Sequence, residues 1–395
     1  MAASLATAIS APGRSATLTQ LLGEGRNQRP HAMASRLSAC SYNEYVFSAE
    51  MLVNINPVWL KLGLLAWIVG GVTSSTVAED FKAVPELGYR VNADFFHGAE
   101  HLSLGEASGI ALNSKGHLFL FQRARPMLTE YDAAGNFVRS IGEGLFTHPH
   151  GLRIDRDDNI WTTDDGSHLV LKLSTAGQVL LVLGRKDVAA EADWLFNQPT
   201  DVAFGKNGEV YVSDGYGNSR VMKFDRNGKF LKSWGRYGTG PGEFNLPHSV
   251  VVDQVGNVYV GDRENKRIQI FDADGNYLKE WTDIGYPYGL FITPDQHIWM
   301  VDGGYDRIVE LDQNGKILGA IGEPGHAPGQ LAWGHFLAVG PDRTLYVADV
   351  LNWRFQVFKP VAPTGKLSAY IPDKRMFWDR VPSSGWSTHT TVPKN

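Results

Sequence analysis

A chain of 395 residues with 43% apolar and 11% aromatic content is long enough for one large domain or two ordinary ones and too apolar for a disordered one. Its formal charge of −5, from 37 basic and 42 acidic residues, argues against nucleic-acid binding, which needs a basic footprint on phosphates. A single cysteine, Cys40, excludes an intrachain disulfide framework.

Residues 1–78 carry no repeat and contain the stretch WLKLGLLAWIVGGVTSSTVAED. Lys61, the eleven apolar or small residues Leu62 to Val72, and small residues ending at Ala78 have the layout of a secretory signal. The apolar run is too short for a comfortable membrane span. Because such signals sit at an N-terminus, residues 1–50 read as an over-extended, disordered start, with translation beginning at Met51. Residues 51–78 read as a signal peptide or a signal anchor. The expected location is secreted or periplasmic, with no stable membrane span unless an uncleaved anchor is retained. Removing 1–78 takes away Cys40 and, with five basic and three acidic residues, moves the formal charge to −7. The exported part is expected to be a monomer stabilised by burial, sheet closure and any bound metal.

The 43 glycines recur between short strand-like runs, which favours an all-β chain with many tight turns. From residue 107 a unit repeats, with starts at Ser108, His150, Thr200, His248, Tyr288 and His335, spaced 42, 50, 48, 40 and 47 residues apart. Four strands per forty-odd residues is the pattern of propeller blades. Fourteen residues after each start stand Gln122, Asp164, Asp214, Asp262, Asp302 and Asp349. Asp262 to Arg267 reads D-x-x-N-x-R, and Asp349 to Arg354 repeats it, a pattern that resembles the NHL repeat. The sixth unit has three clear strands, ending at 354–359, and GYRVNADFF, 88–96, is a strand without a blade. Pairing the two removes the free sheet edges. The expected fold is therefore an all-β, six-bladed propeller of NHL repeats over 86–362, closed by an N-terminal strand, with a C-terminal tail at 363–395.

In a blade the first strand lies nearest the axis and the second runs antiparallel beside it. The six unit starts thus form an inner ring on one face, with the Asp column as a second ring. Histidine occupies blades two, four and six, so His150, His248 and His335 converge on one point of the channel. Three imidazoles with a fourth position open suit a catalytic Zn2+. His148 competes with His150, but only His150 keeps the 14-residue register. His117, His168 and His297 fall off the column and read as surface or packing residues. The Asp column reads as ion pairs with the arginines five or six residues on, stapling each repeat. Arg123 and Arg263, directly after the column, lie outside that pairing and suit bidentate binding of a substrate carboxylate. Tyr216, in SDGYGNSR, where blade three carries an extra residue, is a candidate general base whose pKa a metal and a guanidinium would lower.

The blocks HGL, QPTDVA, YVSDGYGNSR, LPHSV and DRENKRIQ resemble peptidyl-α-hydroxyglycine α-amidating lyase, most closely over blades two to four. The resemblance implies zinc on His150, His248 and His335, a catalytic Tyr216, and substrate-handling Arg123 and Arg263. It implies cleavage of the N–Cα bond of a C-terminal α-hydroxyglycine, giving an amide and glyoxylate. The family places an Asp after its third histidine, where it serves a structural calcium. Here Phe336 stands in that position, so calcium is doubtful. With no hydroxylating domain attached, the alternative substrate is another small carboxylate-bearing hemiaminal. The alternative is a non-catalytic NHL scaffold that binds a protein or glycan partner. A gluconolactonase-like calcium hydrolase would need acidic ligands in the inner ring, which has none.

Overall fold

The computed structural model describes residues 83–368. The signal segment and most of the C-terminal tail lie outside the described residues. Every regular element among the described residues is a strand, and they form six antiparallel sheets of four.

The first strand of each unit, PHSVVV at Pro247–Val252 for example, is buried almost throughout, and so is the second, VYVGD at Val258–Asp262. The fourth is more exposed in most blades, as in YLKEW at Tyr277–Trp281, although Ile317–Ile321 of blade five is covered. Hydrophobicity therefore falls from axis to rim, as stacked blades require. First strands of neighbouring blades touch around the whole ring. Apolar side chains pack between blades; Val301 and Ile308 of blade five meet Leu337, Leu345 and Val347 of blade six. Blade six takes its outermost strand from the N-terminal side: Tyr89–Asn92 pairs antiparallel with Arg354–Pro360, Tyr89 opposite Pro360. That pairing closes the ring as the sequence predicts, and no blade is left with a missing strand.

The Asp column ties each blade to the loop that enters it. The Asp262 carboxylate accepts bonds from Asn245 N at 2.7 Å, Asn265 Nδ2 at 2.8 Å and Arg267 Nε at 2.8 Å. The Arg267 Nη atoms in turn donate to the carbonyls of Thr239, Gly240 and Glu243 in that loop. Asp214 with Arg220 and Asp349 with Arg354 repeat the device, whereas Asp164, which has no arginine, holds the backbone of Thr147, His148 and Ser167 instead. Arg267→Ala leaves the buried Asp262 carboxylate without its cation and takes a donor from three carbonyls, and a loss of about 3 kcal/mol is expected in urea melts.

Blade five keeps the ion pair, Arg307 Nε donating to Asp302 at 2.8 Å, but has Tyr305 at the position of the motif's Asn. In DGGYDR, Asp306 is 8% exposed and accepts the Trp333 N–H at 2.6 Å. Burial, with added repulsion from Asp349 and Asp302, pushes its pKa from 3.8 to about 7. A carboxyl raised on folding stabilises fully below its unfolded pKa, and that contribution is lost as pH rises through about 7. Asp306→Asn keeps an acceptor for Trp333 and removes the charge. It is expected to raise the unfolding free energy at pH 8 by up to about 4 kcal/mol, the gain shrinking by more than half at pH 5. Urea melts at the two pH values check this.

Candidate metal centre

All six ring residues sit where the inner strand slips register against its neighbour. Pro247 faces Asp262 and Ser249 faces Gly261, so His248 is the extra residue of a bulge. The same slip falls at Ser108, His150, Thr200, Tyr288 and His335. A bulge re-aims a side chain that would otherwise obey the two-residue alternation. Here it turns each histidine toward the axis.

His150, His248 and His335 are fully buried, their ring centroids 4.7 to 4.9 Å apart. Each Nδ1 donates to the backbone carbonyl of the next blade's ring residue: His150 to Thr200 at 2.6 Å, His248 to Tyr288 at 2.7 Å, His335 to Ser108 at 2.7 Å. Blades one, three and five thus supply carbonyls and blades two, four and six imidazoles. These bonds fix the Nδ1–H tautomer and leave every Nε2 as a bare acceptor. Burial, then mutual repulsion with His335 and His248, puts the His150 pKa well below 6.5. Burial, then Arg263, does the same for His248. Burial, then Arg123, takes His335 to about 3. The trio is neutral at pH 7, the form that ligates.

Ligand nitrogens of the three histidines lie within 4.8 Å of one another, and His335 Nε2 is buried without a hydrogen-bond partner. An orphaned acceptor beside two others is costly unless a cation or a donor occupies the space between them. Three neutral imidazoles and no carboxylate form a donor set that fits Zn2+ and does not fit calcium, which takes oxygen ligands. The doubt over calcium extends below the trio, where Phe336 presents a buried ring to His248 at 5.8 Å.

Tyr216 joins the trio from the loop of blade three. Its hydroxyl lies 3.0 Å from His150 Nε2 and 3.2 Å from His248 Nε2, and it has one proton to share between them. With no cation on the histidines, burial raises the phenol pKa above 10.0, outweighing the opposing pull of Arg263 and Arg123. A cation held by the histidines is needed to reverse the sign. Arg263 lies over the Tyr216 ring at 5.6 Å and the Tyr288 ring at 4.6 Å. Burial disfavours its charge, but Tyr288, Tyr216 and Glu264 outweigh this and raise its pKa.

Sequence reasoning missed the carboxylates that orient both arginines. Arg263 Nε donates to Glu264 at 2.8 Å, while Arg123 donates to Glu106 at 2.8 Å and to Pro149 O at 3.3 Å. His148, set aside in favour of His150, pairs with the buried Asp165 and is 42% exposed, so it is no member of the trio. His117 and His297 pair with Glu130 and Glu310.

Fold and site together define a six-bladed propeller with three histidines buried on its axis. A family model described as a 6-bladed beta-propeller matches residues 190–299. The chain is 38% identical over 197 residues to peptidyl-glycine alpha-amidating monooxygenase A of Xenopus laevis, covering 42% of this chain and 21% of that one. It is 36% identical over 190 residues to the "Probable peptidyl-alpha-hydroxyglycine alpha-amidating lyase pgal-1" of Caenorhabditis elegans, covering 41% and 54%. It is 34% identical over 195 residues to NHL repeat-containing protein 3 of Mus musculus, covering 46% and 54%. The chain thus spans from about a fifth to about half of the length of these curated relatives, whose names match the resemblance read from its motifs.

Proposed function

We propose that the chain is a zinc-dependent lyase that cleaves the N–Cα bond of a carboxylate-bearing hemiaminal, giving an amide and glyoxylate. The observation that carries this reading is the convergence of three neutral Nε2 atoms beside the Tyr216 hydroxyl. His150, His248 and His335 would hold the ion, and a bound Zn2+ would supply Lewis-acid polarisation of the substrate hydroxyl. Arg263 and Arg123 bind the carboxylate, each held in place by its own glutamate. Tyr216, ionised, takes the hydroxyl proton. The O–H electrons form the aldehyde C=O, the Cα–N pair leaves with nitrogen, and a proton returns from Tyr216 to give the amide. The reaction is redox-neutral. Export as a secreted or periplasmic monomer belongs to the same proposal.

The test is metal content of the purified chain by elemental analysis, followed by glyoxylate release from N-acyl-α-hydroxyglycines. About one zinc per chain with turnover supports the lyase. Similarity to NHL repeat-containing protein 3 favours a second reading, a non-catalytic scaffold with a protein or glycan partner. A folded chain that takes up no metal, even with zinc added, leaves that reading standing and removes the first.

A further inference from the structure

Deeper along the same inner strands, a guanidinium crosses the axis. Arg153, three residues after His150 in blade two, donates from Nε to Asp201 Oδ1 at 2.9 Å and from Nη2 to Asp201 Oδ2 at 2.6 Å, both on blade three. The same Nη2 reaches Ser249 Oγ of blade four at 3.3 Å and the Leu290 carbonyl of blade five at 2.8 Å. Ser249 Oγ also donates to Asp201 Oδ2 at 2.6 Å and accepts from Leu290 N at 3.0 Å. Blade six contributes Phe336, whose ring has the guanidinium 5.4 Å from its centroid on the way to the histidines. A carboxylate, a hydroxyl and a carbonyl converging from three blades are the donors a hard cation takes. In this chain an arginine occupies the centre of that set.

We infer that Arg153 is a built-in axial cation that ties blades two to five together in place of a metal ion with oxygen ligands. Asp201 and Ser249 are fully buried, so the carboxylate requires a positive partner. From blade six Phe336 offers the cation an aromatic face and no carboxylate, its ring centroid 5.4 Å from the guanidinium carbon. Charge on the axis balances with one guanidinium and one carboxylate, leaving no role for calcium. This inference is independent of the lyase reading.

Thermal melts of the full chain with added calcium chloride test it, using wild type, Arg153→Ala and Arg153→Ala with Asp201→Asn. Calcium up to about 5 mM should shift the wild-type midpoint by less than about 1 °C. Arg153→Ala should melt lower, and the same calcium should raise its midpoint by at least about 3 °C, an effect absent from the double variant. A wild type stabilised by calcium overturns the inference. So does an Arg153→Ala chain that melts like wild type or ignores calcium. If Arg153→Ala does not fold, Arg153→Lys restores a point charge without the fork. Arg153→Lys should fold and ignore calcium, and a calcium response or a failure to fold counts against the axial-cation role.

Discussion

His248→Ala is expected to purify with less than about a tenth of the wild-type zinc and to lose at least about 10³-fold in glyoxylate release. Two imidazoles cannot close a three-nitrogen site. His248 also contacts both the Tyr216 hydroxyl, at 3.2 Å, and the Tyr288 carbonyl, at 2.7 Å. The fold is expected to survive. The deletion removes one buried ring and one hydrogen bond, about 2 kcal/mol, from a propeller whose closure lies in blade six. Far-UV circular dichroism and a melting curve therefore accompany the metal analysis. A variant that keeps both zinc and activity would place the metal elsewhere. One that keeps zinc but loses activity would make His248 a proton-handling group and not a ligand.

The sequence makes the site legible through its register. The 14-residue step from His248 to Asp262 fixes where the inner strand begins, because Pro247 pairs with Asp262 and puts His248 in the bulge that follows. The same step in blades two and six brings three residues 98 and 87 positions apart to one point. What stayed hidden is what a repeat cannot encode. The carbonyls of Thr200, Tyr288 and Ser108 that fix each tautomer belong to the backbone of alternate blades, and backbone leaves no mark in residue type. The Arg153 contacts span 48, 96 and 137 residues, joining three different offsets from the ring, so no column of aligned units contains them. Glu106 and Glu264 occupy positions that the repeat leaves variable, so no column marks their pairing with Arg123 and Arg263. Tyr216 was placed correctly beside the histidines, but its pKa direction depends on how far burial outweighs Arg263, which no motif reports.

Tyr216→Phe separates the chemistry from the architecture. Phenylalanine keeps the ring that lies beneath Arg263 at 5.6 Å and edge-on to His150 at 5.1 Å, and removes only the hydroxyl. If Tyr216 accepts the proton of the substrate hydroxyl, kcat should fall by about 10²- to 10⁴-fold, the usual worth of a positioned base. Zinc content should stay within error of wild type, since the phenol is not one of the three nitrogens, and KM should move by less than about threefold, because the carboxylate still meets both arginines. Arg263→Ala supplies the contrasting pattern. It removes the cation stacked between Tyr216 and Tyr288, so KM should rise and, with the phenol's charged partner gone, kcat should fall as well. A Tyr216→Phe chain retaining kcat within tenfold of wild type would transfer the base role to another group. One candidate is His148, whose ring pairs with the buried Asp165, a carboxylate close enough to Tyr216 to act on its charge.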